Sequence, residues 1–122
     1  MTIDVFSQAE FDAIPADFWG TIFIRFGTQD ARAIVNRSMR HATVVATRFT
    51  YVEAKRRSYV IAQANSTVIA TEQSIVVAES GSNVFARDKS SVRAQMGSVV
   101  REVDGKPYIL CTWLMGGPLL FR

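Results

Sequence analysis

Residues Ala42 to Gly105 read, in groups of eight, ATVVATRF, TYVEAKRR, SYVIAQAN, STVIATEQ, SIVVAESG, SNVFARDK, SSVRAQMG and SVVREVDG. The third position is valine in every group, from Val44 and Val52 through Val60, Val68, Val76, Val84 and Val92 to Val100. The fifth is alanine from Ala46 to Ala94 and gives way only at Glu102, and the first is serine from Ser58 onward. Positions one, three and five of an extended strand share a face, so this pattern lines up small side chains suited to a narrow interior. Positions two and four then point outward. Positions six to eight hold Asn65, Gly81, Asp88, Gly97, Asp104 and Gly105, residue types that accept turn conformations. Each octad is expected to form a five-residue strand and a three-residue corner. A unit this short cannot bury its own apolar face, so neighbouring units must stack into a continuous core, as in a β-solenoid.

The outward residues bear on how the coil closes. Two octads per turn place Thr43/Val45, Tyr59/Ile61, Ile75/Val77 and Ser91/Arg93 on one face, and Tyr51/Glu53, Thr67/Ile69, Asn83/Phe85 and Val99/Arg101 on the other. The first face is then apolar over three rungs and the second is mixed. Three octads per turn, or single strands given to an intertwined trimer, scatter the apolar pairs, so the two-strand turn is expected. The reading is an all-β, single-domain solenoid of about four turns, roughly 19 Å tall at the strand spacing of a sheet.

The flanks read as caps for the open ends of such a coil. Ser7 and Glu10 fit a capping box with Phe6 and Phe11 as its hydrophobic staple, which predicts a helix over Gln8 to Ile14, ended by Pro15. Thr21 to Phe26 reads as a strand. Phe18, Trp19, Phe23 and Phe26 supply bulk that the repeat lacks, packed on the first rung or over the apolar face. Asp104 and Gly105 form a turn before the strand-like run Tyr108 to Met115, which Gly116, Gly117 and Pro118 end. Residues 1–41 are thus the N-terminal cap, 42–105 the solenoid, and 106–122 a C-terminal cap or interface arm.

The 122 residues are 48% hydrophobic and 20% charged, which suits one globular domain. The N-terminus lacks the basic start and apolar stretch of a secretory signal, and the apolar tail is too short to span a bilayer, so a cytoplasmic protein without membrane contact is expected. Cys111 is the single cysteine and His41 the single histidine. Neither a cysteine cluster nor a histidine ligand pair is available, and no metal or cofactor is expected. Cys111 beside Leu110 and Trp113 reads as a buried thiol, and His41 as a corner residue. The corner carboxylates Glu72, Glu79, Asp88 and Asp104 read as solvated. The serine ladder Ser58, Ser66, Ser74, Ser82, Ser90 and Ser98 reads as satisfying backbone groups at the corners. The expectation is a protein that is not an enzyme.

Charge is unevenly spread. The formal total is +3, yet residues 25–57 carry Arg25, Arg32, Arg37, Arg40, Arg48, Lys55, Arg56 and Arg57 against Asp30 and Glu53, eight minus two, or +6. Arg37, Arg40, Arg48, Lys55, Arg56 and Arg57 are the candidate patch for an acidic protein partner or for nucleic acid, although no nucleic-acid motif accompanies them. The alternative is a solvated corner balanced by the acidic N-terminal segment.

The octads SYVIAQAN, STVIATEQ and SNVFARDK resemble the Ser/Asn-Ala-Thr-Val-x-Ala-x-Gly repeats of small β-solenoid proteins of actinobacteria and bacteriophages, a group without a common activity. The resemblance covers about half the chain and implies architecture. Fewer corner glycines and two non-repetitive flanks set this chain apart. A second resemblance is to the octapeptide needles of phage and secretion-system spikes, where glycine stands in place of the alanine here.

Three functions are compatible with this reading. One is a protein-binding module, such as a phage or mobile-element inhibitor that docks on a host defence protein. Another is a spike or fibre component assembled as an intertwined trimer. A third is an ice- or surface-binding face, which calls for ranks of outward threonine where only Thr43 and Thr67 occupy the second position. The outward set Val45, Tyr59, Ile61, Ile75 and Val77 is the candidate seam of a homodimer or the candidate partner face, unless the N-terminal strand covers it.

Overall fold

The computed structural model describes residues 1–39, 41–111 and 119–121 as a two-sided solenoid whose chain alternates between two parallel sheets. The first sheet contains, in order, β1 (Thr2–Val5), β2 (Gly20–Ile24), β4 (Ala42–Ala46), β6 (Tyr59–Ala62), β8 (Ile75–Ala78), β10 (Ser91–Ala94) and β12 (Tyr108–Cys111). The second contains β3 (Ala33–Val35), β5 (Tyr51–Ala54), β7 (Thr67–Ala70), β9 (Asn83–Ala86), β11 (Val99–Glu102) and β13 (Leu119–Phe121). One short helix, α1 (Gln8–Asp12), lies between β1 and β2.

The two-strand turn is the observed one. Val44, Val60, Val76 and Val92 stack in register in the first sheet, and Val52, Val68, Val84 and Val100 in the second. With the alanines two residues on, these valines are essentially without solvent contact. The eight octads make four turns, but the solenoid is longer than they are. β2 continues the ladder below β4, β3 below β5, β12 above β10 and β13 above β11, giving about seven turns in all. Segments expected only to cap the column extend it, because a parallel strand satisfies the open N–H and C=O row of its neighbour directly.

Of the octad strands, β4 has the expected five residues and β5 to β11 have four. β5 to β11 span positions two to five of each octad, and the serine at position one closes the corner instead. Its N–H donates to the carbonyl three residues back, as from Ser66 to Gln63 and from Ser74 to Thr71. Two kinds of corner alternate. Corners from the first sheet to the second, termed forward here, place the eighth position in the left-handed region at Phe49, Asn65, Gly81 and Gly97. Return corners place the seventh position there, at Arg56, Glu72 and Asp88. The hydroxyls follow this alternation. In forward corners Thr50, Ser66, Ser82 and Ser98 each donate to the carbonyl three residues back at 2.6 Å. In return corners the Oγ atoms of Ser58, Ser74 and Ser90 are buried without a hydrogen-bond partner, so half of the serine ladder does not play the expected backbone role. The last return corner departs from this: it is one residue longer, and its left-handed residue is the eighth of the octad, Gly105 at φ 76°, where a Cβ would stand 2.5 Å from the Asp88 backbone.

At the lower end, α1 replaces a strand of the second sheet. Ser7 caps it by accepting from Glu10 N at 3.2 Å, and Glu10 reaches back to Phe6 N at 2.8 Å. The helix ends at Asp12 rather than Ile14, and the staple is absent, since Phe6 is 62% exposed while Phe11 is fully buried. Gln8 docks the helix on the sheet. Its Oε1 accepts from Ile34 N at 2.8 Å and its Nε2 donates to Ile34 O at 2.9 Å, so the side-chain amide pairs with β3 as a neighbouring strand would. Phe11, Ile14, Ile22 and Ile24 provide the buried bulk, with Phe18 and Phe26 packed partly against them, whereas Trp19 is 67% exposed. The predicted strand to Met115 is described as far as Cys111. Its continuation and Gly116, Gly117 and Pro118 lie outside the described residues, as does the Cys111 side chain.

Candidate functional site

The outer face of the first sheet is open, apolar on the β6 and β8 rungs and again on β12, and interrupted between them by Ser91 and Arg93 on β10. Because its strands are in register, outward residues form two columns along the axis. One contains Tyr59, Ile75, Ser91 and Tyr108, and the other Phe23, Val45, Ile61, Val77, Arg93 and Leu110. Tyr59 is 41% and Ile75 38% exposed, Tyr108 and Leu110 are exposed as well, and Ile61 and Val77 are half-buried. Val45 belongs to the column but is buried, between Phe23 and Ile61 in register. The N-terminal strand does not cover this face, for β2 has joined its lower edge. Tyr108 and Leu110 escaped the sequence reading because Tyr108 pairs with Ser91 seventeen residues back, one more than the sixteen of the repeat. The residue preceding Tyr108 is Pro107, and counting from it would have recovered the register.

The basic residues expected to act together are divided by the fold. Arg48 stands at a forward corner, stacked over the Phe49 ring at 5.8 Å. Lys55 pairs with Glu53 at 3.2 Å, and Arg32 approaches the same carboxylate at 3.5 Å. Arg40 lies outside the described residues. Arg37 is half-buried above the Phe11 ring, and its Nη2 donates to Phe11 O at 2.8 Å. Of the five described, Arg37, Arg56 and Arg57 share a concavity. They line a groove of about 550 Å³ with Asn36, Ser38, Glu72 and Gln73 on the return-corner edge.

That groove continues up the column. A second hollow of about 420 Å³ shares Glu72 and Gln73 with it and adds Asp88, Lys89, Gly105 and Lys106. Successive return corners therefore present Arg57, Gln73, Lys89 and Lys106 along one line, immediately beside the Tyr59, Ile75 and Tyr108 column. The carboxylates here are not merely solvated, as their corner positions suggested. Glu72 accepts from Arg56 N, and Asp88 accepts from Glu72 N at 3.1 Å, so each ties down the corner of the turn below. Above them, Arg87 Nη2 and Asp104 Oδ2 are 3.0 Å apart. The hydrogen bond from Arg87, aided by its charge and opposed by lost hydration, holds the Asp104 carboxyl below its ordinary range.

The outer face of the second sheet carries a smaller hollow of about 280 Å³, lined by Tyr51, Phe85, Arg32, Asn83, Thr67, Ile69 and Gln29. Among the described residues, no three histidine, cysteine or carboxylate side chains are grouped to hold a metal ion, and no helix is long and apolar enough to cross a membrane. No protein-family model, curated protein or solved structure matches the chain.

Proposed function

We propose that this chain is a non-enzymatic protein-binding module that docks by the outer face of its first sheet, as an inhibitor covering a surface of a host protein. One observation carries the reading: Tyr59, Ile61, Ile75 and Val77 stand on adjacent rungs of a flat face, with Tyr108 and Leu110 beyond the intervening Ser91/Arg93 rung and no segment of the described chain laid over them. Exposed apolar surface gathered in this way is a feature of interaction sites.

Magnitude adds a condition. Seven strands at about 4.8 Å and four residues at about 3.3 Å give a planar footprint of roughly 29 by 13 Å, well short of the roughly 800 Å² per partner of a stable interface. The adjoining corner must therefore contribute. The test is an affinity capture from host lysate with the wild-type chain, Val77→Glu and Val76→Asp, each first weighed by light scattering. Val77 is outward, so Val77→Glu is expected to fold and lose the captured partner. Val76 is fully buried, so Val76→Asp is expected to unfold the chain. Equal damage from both would refute the assignment of faces. A wild-type mass of two chains that Val77→Glu reduces to one would make the face a dimer seam instead.

A further inference from the structure

We infer that the return-corner groove binds an extended, acidic segment of the partner protein, a deepening that rests on the protein-binding reading. Among the described residues the groove contains five cations, Arg37, Arg56, Arg57, Lys89 and Lys106, against two carboxylates, Glu72 and Asp88. None of the five forms an ion pair among the described residues, whereas Lys55, Arg87, Arg25 and Arg32 all do. Both carboxylates are engaged with backbone N–H groups of the turn below. Arg37 adds a buried Nε without a hydrogen-bond partner beside its donated bond to Phe11 O. The groove's unspent capacity is thus cationic.

Its shape selects the kind of anion. From the Asn36–Ser38 corner to the Gly105–Lys106 corner are four turns, about 19 Å at the strand spacing, which matches about six residues of extended peptide. A nucleic-acid strand fits less well, because among the described residues no aromatic side chain lines the groove to stack a base. A phosphate chain also cannot interrupt its charge where it passes Glu72 and Asp88, whereas a peptide places a neutral residue there. Asn36 and Gln73 offer amides to the peptide backbone, although Gln73 Oε1 already accepts from Arg57 Nε at 3.3 Å.

The test is fluorescence anisotropy at about 50 mM salt, where surface charge is weakly screened. The probes are a labelled six-residue peptide of alternating aspartate and serine, its asparagine counterpart, and an oligothymidine of equal charge. The aspartate peptide is expected to bind the wild-type chain best. Arg56→Glu with Arg57→Glu, and separately Lys89→Glu with Lys106→Glu, are expected to weaken it at least about tenfold. Arg48→Glu, on the opposite edge, is expected to leave it within about twofold, with thermal melts confirming that every variant folds. Tighter binding of oligothymidine overturns the inference in favour of nucleic acid. Equal loss with Arg48→Glu reduces it to net charge, and no binding of the aspartate peptide refutes it. These failures are separable from failure of the docking face, which is read by the loss of a captured partner in Val77→Glu with the groove intact.

Discussion

The hydroxyls of Ser66 and Ser74 are chemically alike and equally buried, yet Ser66 donates to Gln63 O at 2.6 Å and Ser74 has no partner. A satisfied hydrogen bond contributes about 1 kcal/mol net, whereas an unsatisfied buried hydroxyl is a cost. Ser66→Ala is expected to lower stability by about 1 kcal/mol, and Ser74→Ala to leave it unchanged or raise it. Thermal melts decide, and equal losses would show that the two corner types do not differ in solution. A second expectation at this scale concerns acid. Because Arg87 holds the folded-state carboxyl of Asp104 below its ordinary range, the unfolded chain takes up that proton first as pH falls. The pair's contribution is therefore present above the ordinary carboxylate range and lost as pH falls through the folded value. Arg87, whose own pKa is raised by the same hydrogen bond, stays charged throughout. The pair is exposed and its share small. Melting temperatures of Asp104→Asn and wild type should converge toward the acid end, and parallel curves would dismiss the pair.

At the scale of elements, α1 is an end cap built from a side chain. Gln8 gives and takes the two hydrogen bonds that another strand would make with Ile34, so the edge of β3 is closed to other chains there. Gln8→Ala is expected to cost about 1–3 kcal/mol and to expose that N–H and C=O. A lower melting temperature together with concentration-dependent association in sedimentation would bear this out, whereas a stable monomer would show that the helix caps without the amide. This element also marks where sequence reading stopped. The octad strands, their inward valines and alanines and the two-strand turn were legible because their period is fixed. β1, β2 and β3 were not read as coils because Thr21 pairs with Thr43 twenty-two residues on, after a longer excursion, and because a helix fills one strand's place. The alternation of corners was written at Asn65, Gly81 and Gly97 in the eighth position against Arg57, Gln73 and Lys89, up to Gly105, where the last return corner is one residue longer. The apolar face was legible for the same reason as the core. The basic site was not, since neighbours in sequence such as Arg48 and Arg57 leave at opposite corners while Lys89 and Lys106 arrive from later turns.

For the whole molecule, stacking makes stability nearly a sum over turns and their interfaces, so turns should be removable in whole units. Ser58 to Gln73 comprises two octads, one strand of each sheet and one corner of each kind. Deleting it joins Arg57 to Ser74, a return corner to the start of a first-sheet strand, as in the parent. The inward columns then close up valine on valine, and the Arg56 N–H meets Asp88 where it met Glu72, with the same kind of acceptor. Deleting only Ser66 to Gln73 removes half as much chain but joins Asn65, a forward corner, to Ser74. β8 would then enter the second sheet, and every later strand would change sides. Valine and alanine would still point inward, so hydrophobicity alone predicts that the smaller deletion is the milder. Corner chemistry predicts the reverse. Gly81 and Gly97 would occupy return corners without the extra residue present after Gly105, so that Ser80 and Met96 in the seventh position would have to turn left-handed, and Asp88 would occupy a forward corner with its eighth-position lysine forced into that region. Each such residue costs about 1 kcal/mol or more, and the errors accumulate upward through the column. The two-octad deletion is expected to give a cooperative melt at somewhat lower temperature with the circular dichroism of a β protein. The one-octad deletion is expected to lose that cooperativity. If the shorter deletion melts as sharply as the longer, the corners adapt to either side and the alternation is a consequence of the fold, not one of its determinants.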